Sequence, residues 1–349
     1  MCDCTEEKKE RSDMLNICVI GSGRAGMIHA RNFAGRVDGA RLVALCDPVP
    51  EALATAAKEL GVEKTYTDYH QVLEDPAIDA VVVVTPTVFH RDIVCAAAEA
   101  KKHVLCEKPM AMNETECIEM NEAADKHGIK LQIGFMRRFD DSFRYAKKQI
   151  ESGAIGDVVL VKSVTHGPSV PQPWMYDIKK SNGPLAEVSS HDIDALHWYS
   201  GSYISEVYAI AGNYRSPDAR KDFPDFYDNV VMTARFNSGA QGVLDGAQGV
   251  RYGYDSRVEI LGTKGIIHVG RNQEHSVLTV SPEGIHSPYV QSWRTLFLDA
   301  YLEEDKAFVA SVAHDTAPLV TGMDGLEAVR VVNAGNTSII EKRPVSIRR

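Results

Sequence analysis

Three groups of residues in this 349-residue chain have the types and spacing for chemistry. The first is Glu107-Lys108-Pro109, which ends the short apolar run His103-Val104-Leu105-Cys106 with an acid, a base and a proline. Burying an unpaired ammonium is costly, so a lysine at the mouth of a buried strand implies a partner for its charge. Proline ends the ladder and fixes the backbone, and an X-Pro bond is the usual place for a cis peptide. The segment reads as a strand that delivers one cation to a fixed point. Taken alone, an exposed Glu-Lys pair before a helix-starting turn is the commoner outcome, because both side chains usually stay at the surface.

The second group is Glu187, His191 and Asp194, at i, i+4 and i+7 of a helix expected over Glu187–Tyr199. That spacing puts the three on one face. A carboxylate one turn before a histidine holds its tautomer and raises its basicity, and histidine is suited to proton transfer near neutral pH. A solvated acidic face is the competing reading. Against it, Ile193, Leu196 and Trp198 can anchor the helix. The preceding Pro-rich stretch, 167–184, also carries Trp174, Met175 and Tyr176 and suits a loop over a pocket. Arg138, Asp140, His166, Tyr176 and Tyr252, with Asp194, are further polar candidates for binding the hydroxyls of a substrate.

The third group is Gly21-Ser22-Gly23-Arg24-Ala25-Gly26, between an apolar run at Leu15–Ile20 and a helical stretch at 27–36. A lone G-x-G-x-x-G says little, but between a strand and a helix it is informative. The first glycine permits the tight turn and the second lets the backbone approach a pyrophosphate. The third lets helix and strand pack closely, and the helix N-terminus favours phosphate charge. Asp47 ends the next apolar run and lies 21 residues after Gly26. A carboxylate there binds the ribose hydroxyls of NAD and repels the 2′-phosphate of NADP. Asp47 also suits a cap for the helix that follows Pro48.

The elements that must position these groups follow from the pattern. Apolar runs at 15–20, 41–47, 64–67, 80–85, 103–107 and 130–135 alternate with helical stretches, and four consecutive valines end at Val84. That rhythm predicts an α/β domain with a doubly wound parallel sheet, whose ligands bind beyond the carboxyl ends of the strands. The tips at Gly21–Gly26, Asp47, Thr85-Pro86 with His90, and Glu107-Lys108-Pro109 should line one crevice, which brings Lys108 to the cofactor. After a helix at 139–152 the rhythm changes. Strands are expected at 157–166, 203–212, 227–236, 240–249, 257–261, 265–269 and 276–281, then helices at 293–312 and 323–340. This predicts an α+β domain with a large, mostly antiparallel open sheet, whose bare face suits oligomerisation. The expected division is a polar tail at 1–13, a cofactor domain at 14–136, and a substrate and oligomerisation domain at 137–349.

The formal charge of −10 argues against nucleic acid or an anionic membrane as the main partner. No apolar run reaches the roughly 18 residues of a membrane span, and the charged N-terminus lacks a signal-peptide core, so the cytoplasm is expected. The seven cysteines are odd in number, and Cys18, Cys46, Cys95 and Cys106 sit in apolar patterns, which suggests reduced thiols. Cys2-x-Cys4 has no second ligand pair nearby, so no metal is expected.

With Gly21–Gly26 followed by Met27-Ile28-His29-Ala30-Arg31, the Thr85-Pro86 to His90 strand end, Glu107-Lys108-Pro109, Gly134–Asp140, His191-Asp192-Ile193-Asp194 with Trp198 and Gly201, and Gly262-Thr263-Lys264-Gly265, the chain resembles a known family. This is the glucose–fructose oxidoreductase / inositol dehydrogenase / rhizopine-catabolism (Gfo/Idh/MocA) oxidoreductases, and the resemblance covers essentially everything after Met14. It implies a Rossmann domain holding NAD through Gly21, Gly23, Arg24, Ala25, Gly26, Asp47, Thr85, Pro86, His90, Glu107 and Lys108. It also implies catalytic roles for Lys108 and His191, with Glu187 completing the site. The implied activity is NAD-dependent oxidation of a secondary hydroxyl on a cyclic polyol, sugar or glycoside, inositol first among them. The inositol dehydrogenases of the family carry aspartate where this chain has Glu187, usually after a run of glycines, and here only Gly183-Pro184 precedes Leu185. The extra methylene moves the carboxylate by about 1.5 Å, which bears on the substrate more than on the chemistry. Two rival readings are an NAD-recycling glycosidase and a sugar sensor of the same fold without catalysis.

Overall fold

Ala80, Val81, Val82 and Val83 are each 0% exposed, as a strand covered on both faces must be. They form β4 of a six-stranded parallel sheet in the computed structural model, which describes residues 14–349. Its strands are β1 (Leu15–Ile20), β2 (Ala40–Cys46), β3 (Thr65–Tyr66), β4 (Ala80–Val83), β5 (His103–Glu107) and β6 (Leu131–Gly134), in the order β3-β2-β1-β4-β5-β6. Between them run α1 (Gly26–Phe33), α2 (Pro50–Leu60), α3 (Tyr69–Glu74), α4 (His90–Glu99) and α5 (Glu114–His127). Local chemistry sets the ends. Pro50 opens α2, an alanine-rich segment, and Gly61 closes it at φ +67°. Asp68 caps α3 by accepting the His70 amide. The strand order reverses between β1 and β4, which puts the ligand crevice beyond the ends of those two strands.

The second sheet is built from β7 (Val158–Gly167), β8 (Ile204–Gly212), β9 (Asn229–Phe236), β10 (Gln241–Gln248), β11 (Asp255–Gly262), β12 (Ile266–Val269) and β15 (Val345–Ser346), in the order β12-β11-β7-β10-β9-β8-β15. β10 runs parallel to β7, and the other pairings are antiparallel. Its helices are α6 (Asp141–Glu151), α7 (Ile178–Ser181), α8 (Gly183–Glu187), α9 (Ser190–Ser200) and α10 (Ala219–Asp222). β13 (Thr279–Ser281) and β14 (Gly284–His286) form a separate hairpin, and α11 (Trp293–Leu296), α12 (Leu298–Ala313) and α13 (Gly322–Glu341) follow.

Four differences from the sequence reading have physical causes. The helix expected over Glu187–Tyr199 is split into α8 and α9 at Val188-Ser189. Ser189 packs on β10, where Gly246 leaves room for its side chain, and serine competes with helical hydrogen bonding. The loop expected over 167–184 contains α7 and the start of α8. The strand expected at 276–281 belongs to the hairpin, not to the large sheet. The helix expected at 293–312 breaks at Phe297.

By contacts, one unit takes the described residues up to Ala111, Thr115–Gly134 and Asp299–Gly325, and the other takes Met112–Glu114, Phe135–Leu298 and Leu326–Arg349. Residues 299–325, grouped with the second domain in the sequence reading, therefore cluster with the parallel sheet. Phe308 and Val309 of α12 complete its core beside Ile17, Val19, Leu45, Val82 and Leu105. Sequence distance hides such a return.

The polar tail with Cys2 and Cys4 lies outside the described residues. Within them, Cys18, Cys46, Cys106 and Cys117 are buried, Cys95 is half-buried, and none of the five is joined in a disulfide to another described residue. No helix among the described residues is long and apolar enough to cross a membrane.

Candidate active site

The loop after β1 has the shape a dinucleotide requires. Gly21 sits at φ +108°, and a Cβ there would strike the Val84 carbonyl. A Cβ on Gly26 would strike the Gly21 carbonyl, whereas one on Gly23 would meet nothing within 4 Å. Two glycines therefore permit the turn and its close packing, and the third leaves an open face for a pyrophosphate. Arg24 is exposed and Ala25 half-buried beside it. Asp47, at the tip of β2, accepts the Ser22 amide on Oδ2 at 2.6 Å and the Val49 amide on Oδ1 at 2.9 Å. It therefore caps the next turn and also fastens the glycine loop. A carboxylate has about four acceptor sites, so these two bonds leave capacity for ribose hydroxyls.

Beyond β4 and β5, His90 acts as a brace. Its buried ring nitrogens lie 2.8 Å from the Thr85 carbonyl and 2.9 Å from the Pro109 carbonyl. It thus ties the Thr85-Pro86 tip to the Lys108-Pro109 tip, and burial pulls its imidazole below the ordinary histidine value. The Lys108–Pro109 peptide is cis. Glu107 is 5% exposed and Lys108 half-buried, which removes the exposed-pair alternative. Glu107 Oε2 accepts the Lys108 backbone N–H at 3.0 Å.

In the second unit, Glu187 ends α8 and His191 lies in the first turn of α9. His191 is 6% exposed, and its ring meets Phe135 edge-on at 5.9 Å. Two buried arginine–aspartate pairs hold α9. Asp192 Oδ1 accepts from Ser163 Oγ at 2.6 Å, Thr165 Oγ1 at 2.7 Å and Arg137 Nη1 at 3.1 Å. Asp194 takes Arg138 through Nε at 3.0 Å and Nη2 at 2.5 Å. Arg138 and Asp194, named separately from the sequence, are thus partners of one another. Arg137 and Asp192 were missed. Their signal was two consecutive arginines and an Asp-x-Asp on a helix, which spacing alone does not connect. Asp140 serves as the cap of α6, accepting the Ser142 and Phe143 amides at 2.9 and 3.1 Å.

His166 points the other way. Ser163 and Thr165 reach α9, so alternation along β7 turns His166 to the opposite face. There it pairs with the Tyr252 hydroxyl and, at 3.1 Å, with Asp245. Burial pushes the Tyr252 phenol up. Tyr176 packs edge-on against Phe226 at 4.9 Å, so the expected covering loop is anchored by aromatic contacts.

This arrangement matches known proteins throughout. Residues 15–135 fit the model of the GFO/IDH/MocA oxidoreductase family described by its NAD-binding Rossmann fold. Residues 143–268 fit the GFO/IDH/MocA C-terminal domain. The chain is 37% identical over 334 residues to a myo-inositol 2-dehydrogenase of Thermotoga maritima, covering 95% of this chain and 98% of that one. It is 34% identical over 336 residues to an NAD(+) scyllo-inositol 2-dehydrogenase of Bacillus subtilis, covering 95% and 96%. It is also similar to the crystal structure of scyllo-inositol dehydrogenase from Lactobacillus casei with bound NAD(H) and scyllo-inositol. That match has a TM-score of 0.88 and 31% identity, covering 96% of this chain and 99% of that one.

Proposed function

The chain belongs to the Gfo/Idh/MocA oxidoreductases, enzymes here using NAD on CH–OH groups, and from that premise we propose that it oxidises a ring hydroxyl of an inositol. The observation that carries this reading is the full-length similarity to relatives named for inositol oxidation.

Bound NAD supplies the hydride acceptor. The chain's own part divides as follows. The Gly21–Gly26 loop holds the pyrophosphate and Asp47 the ribose hydroxyls, with Thr85, Pro86 and Glu107 along the edge. His191 takes the hydroxyl proton, and Glu187 orients its ring. The Lys108 ammonium donates to the same oxygen as charge develops there. The carbinol carbon loses its hydride and becomes a ketone, and the single hydroxyl proton leaves through His191. Buried tethers on Asp192 and Asp194 support this assignment, because a base acts well only when its helix is held still.

A panel of myo-inositol, scyllo-inositol, aldoses and glycosides, scored for NADH absorbance, tests the proposal. We expect turnover with an inositol. Turnover confined to glycosides, or none with any polyol, would overturn it. We also infer a homo-oligomer through the open sheet face, where Tyr208, Ile210 and Val231 are exposed. Sedimentation as a monomer at micromolar concentration would refute that.

A further inference from the structure

Glu107 delivers Lys108, and its own carboxylate is gripped from behind. Oε2 accepts the Lys108 amide at 3.0 Å, while Oε1 stands 3.1 Å from His29 Nε2. His29 Nδ1 donates to Asp305 Oδ1 at 2.6 Å, and Asp305 Oδ2 accepts from Asn32 Nδ2 at 2.8 Å. One unbroken hydrogen-bonded line therefore runs from α12, through α1, to the backbone of Lys108. His29 and Asp305 are both 0% exposed. Gly134 lies close against the Glu107 side chain, where even a Cβ would not fit. Tyr301 closes the other side of His29, edge-on at 5.3 Å.

A third acid completes the cluster. Glu304 is 0% exposed, and neither of its carboxyl oxygens has a hydrogen-bond partner among the described residues. His29, Glu107 and Glu304 offer donor atoms within 4.8 Å of one another, the spacing of a metal site. A histidine whose two nitrogens both donate has no lone pair for a metal. Burial alone would pull His29 down, but Asp305 and then Glu107 outweigh it and hold the imidazole well above its ordinary value. Burial holds the Glu304 carboxyl well above the carboxylate range. The cluster is thus an imidazole clamped between the carboxyl groups of Asp305 and Glu107.

We propose that Asp305, His29 and Glu107 form a positioning relay that fixes the Lys108 backbone so that its ammonium meets the reacting oxygen. The proposal rests on the catalytic reading of Lys108. Neither Asp305 nor His29 is given a part in binding the polyol, and both act only through Lys108. A small displacement of a catalytic group costs up to roughly 100-fold in rate, so a buried clamp has kinetic consequences.

A double-mutant cycle in the full chain decides it, using His29→Gln, Lys108→Met and the pair. The rate of NADH formation is read at saturating NAD with myo-inositol or, where faster, scyllo-inositol. We expect His29→Gln to lower kcat about 10- to 100-fold and to leave NADH affinity, read by fluorescence, within about threefold. In the Lys108→Met background it should have no further effect. Equal losses in both backgrounds would show a general structural role and overturn the relay, as would a loss explained by cofactor affinity. Unchanged turnover in Lys108→Met alone would instead remove the catalytic reading of Lys108, a distinct result. If His29→Gln does not fold, Asp305→Asn, nearly isosteric, carries the same cycle.

Discussion

Arg138 holds Asp194 with two guanidinium nitrogens, Nε at 3.0 Å and Nη2 at 2.5 Å, and both side chains are more than nine-tenths buried. This pair joins the turn at 136–139 to α9, the helix that carries His191. Breaking a buried pair leaves one charge uncompensated. Asp194→Ala should therefore destabilise the protein by about 3–5 kcal/mol. Adding Arg138→Met should recover part of that loss, since the buried cation that lost its carboxylate is then gone. Thermal midpoints of the three variants check this. An unstable single variant that the second change does not rescue would contradict the argument.

Lys108→Ala and His191→Asn test the chemistry. Each should lower turnover by roughly 10²- to 10⁴-fold, the usual contribution of a positioned acid or base. NAD affinity should stay nearly intact in Lys108→Ala. Stopped-flow NADH formation and cofactor fluorescence separate the two effects. Normal turnover in either variant would remove that residue from the mechanism.

Asp47→Asn tests cofactor choice. The carboxylate holds the Ser22 and Val49 amides, and its charge would repel a 2′-phosphate. The amide should weaken NAD binding by roughly tenfold, the worth of one charge-assisted hydrogen bond, and reduce discrimination against NADP. Titration with both cofactors measures it, and an unchanged preference for NAD would refute the role.

Glu304→Gln should change how stability depends on pH. Burial raises the folded-state value of Glu304 well above the ordinary carboxyl, while the unfolded chain titrates near about 4.3. Between those two values the folded protein keeps a proton that the unfolded chain releases, so its stability falls as pH rises. The variant lacks this term. Its thermal midpoint relative to the parent should therefore improve as pH rises above about 4.3. A pH-independent difference would show that Glu304 is ionised in the fold.

Much of the outline was legible from local pattern. The four valines ending at Val84, the glycines at 21, 23 and 26, and Asp47 after an apolar run each carry their meaning within a few residues. The period-two and period-3.6 patterns that make strands and helices are local by construction. The alternation of those elements was enough for a parallel sheet with a crevice at its carboxyl edge. Glu187 and His191 were read from their spacing on one expected helix, and the structure divides that helix in two.

Other features needed the folded chain because their partners are far apart in sequence. Asp305 reaches His29 across 276 positions, and Phe308 returns to a core begun by Ile17. Arg138 and Asp194 looked like two separate polar groups until the backbone brought them together. His90 braces two strand ends through the Thr85 and Pro109 carbonyls, which spacing alone does not connect. Burial decides each of these cases. A charged or polar side chain taken out of water must find a partner, and only tertiary packing determines which one is within reach. Sequence alone was enough for the tools of an oxidoreductase and the sheet that carries them. Only the tertiary structure decided which acids, arginines and histidines hold those tools still.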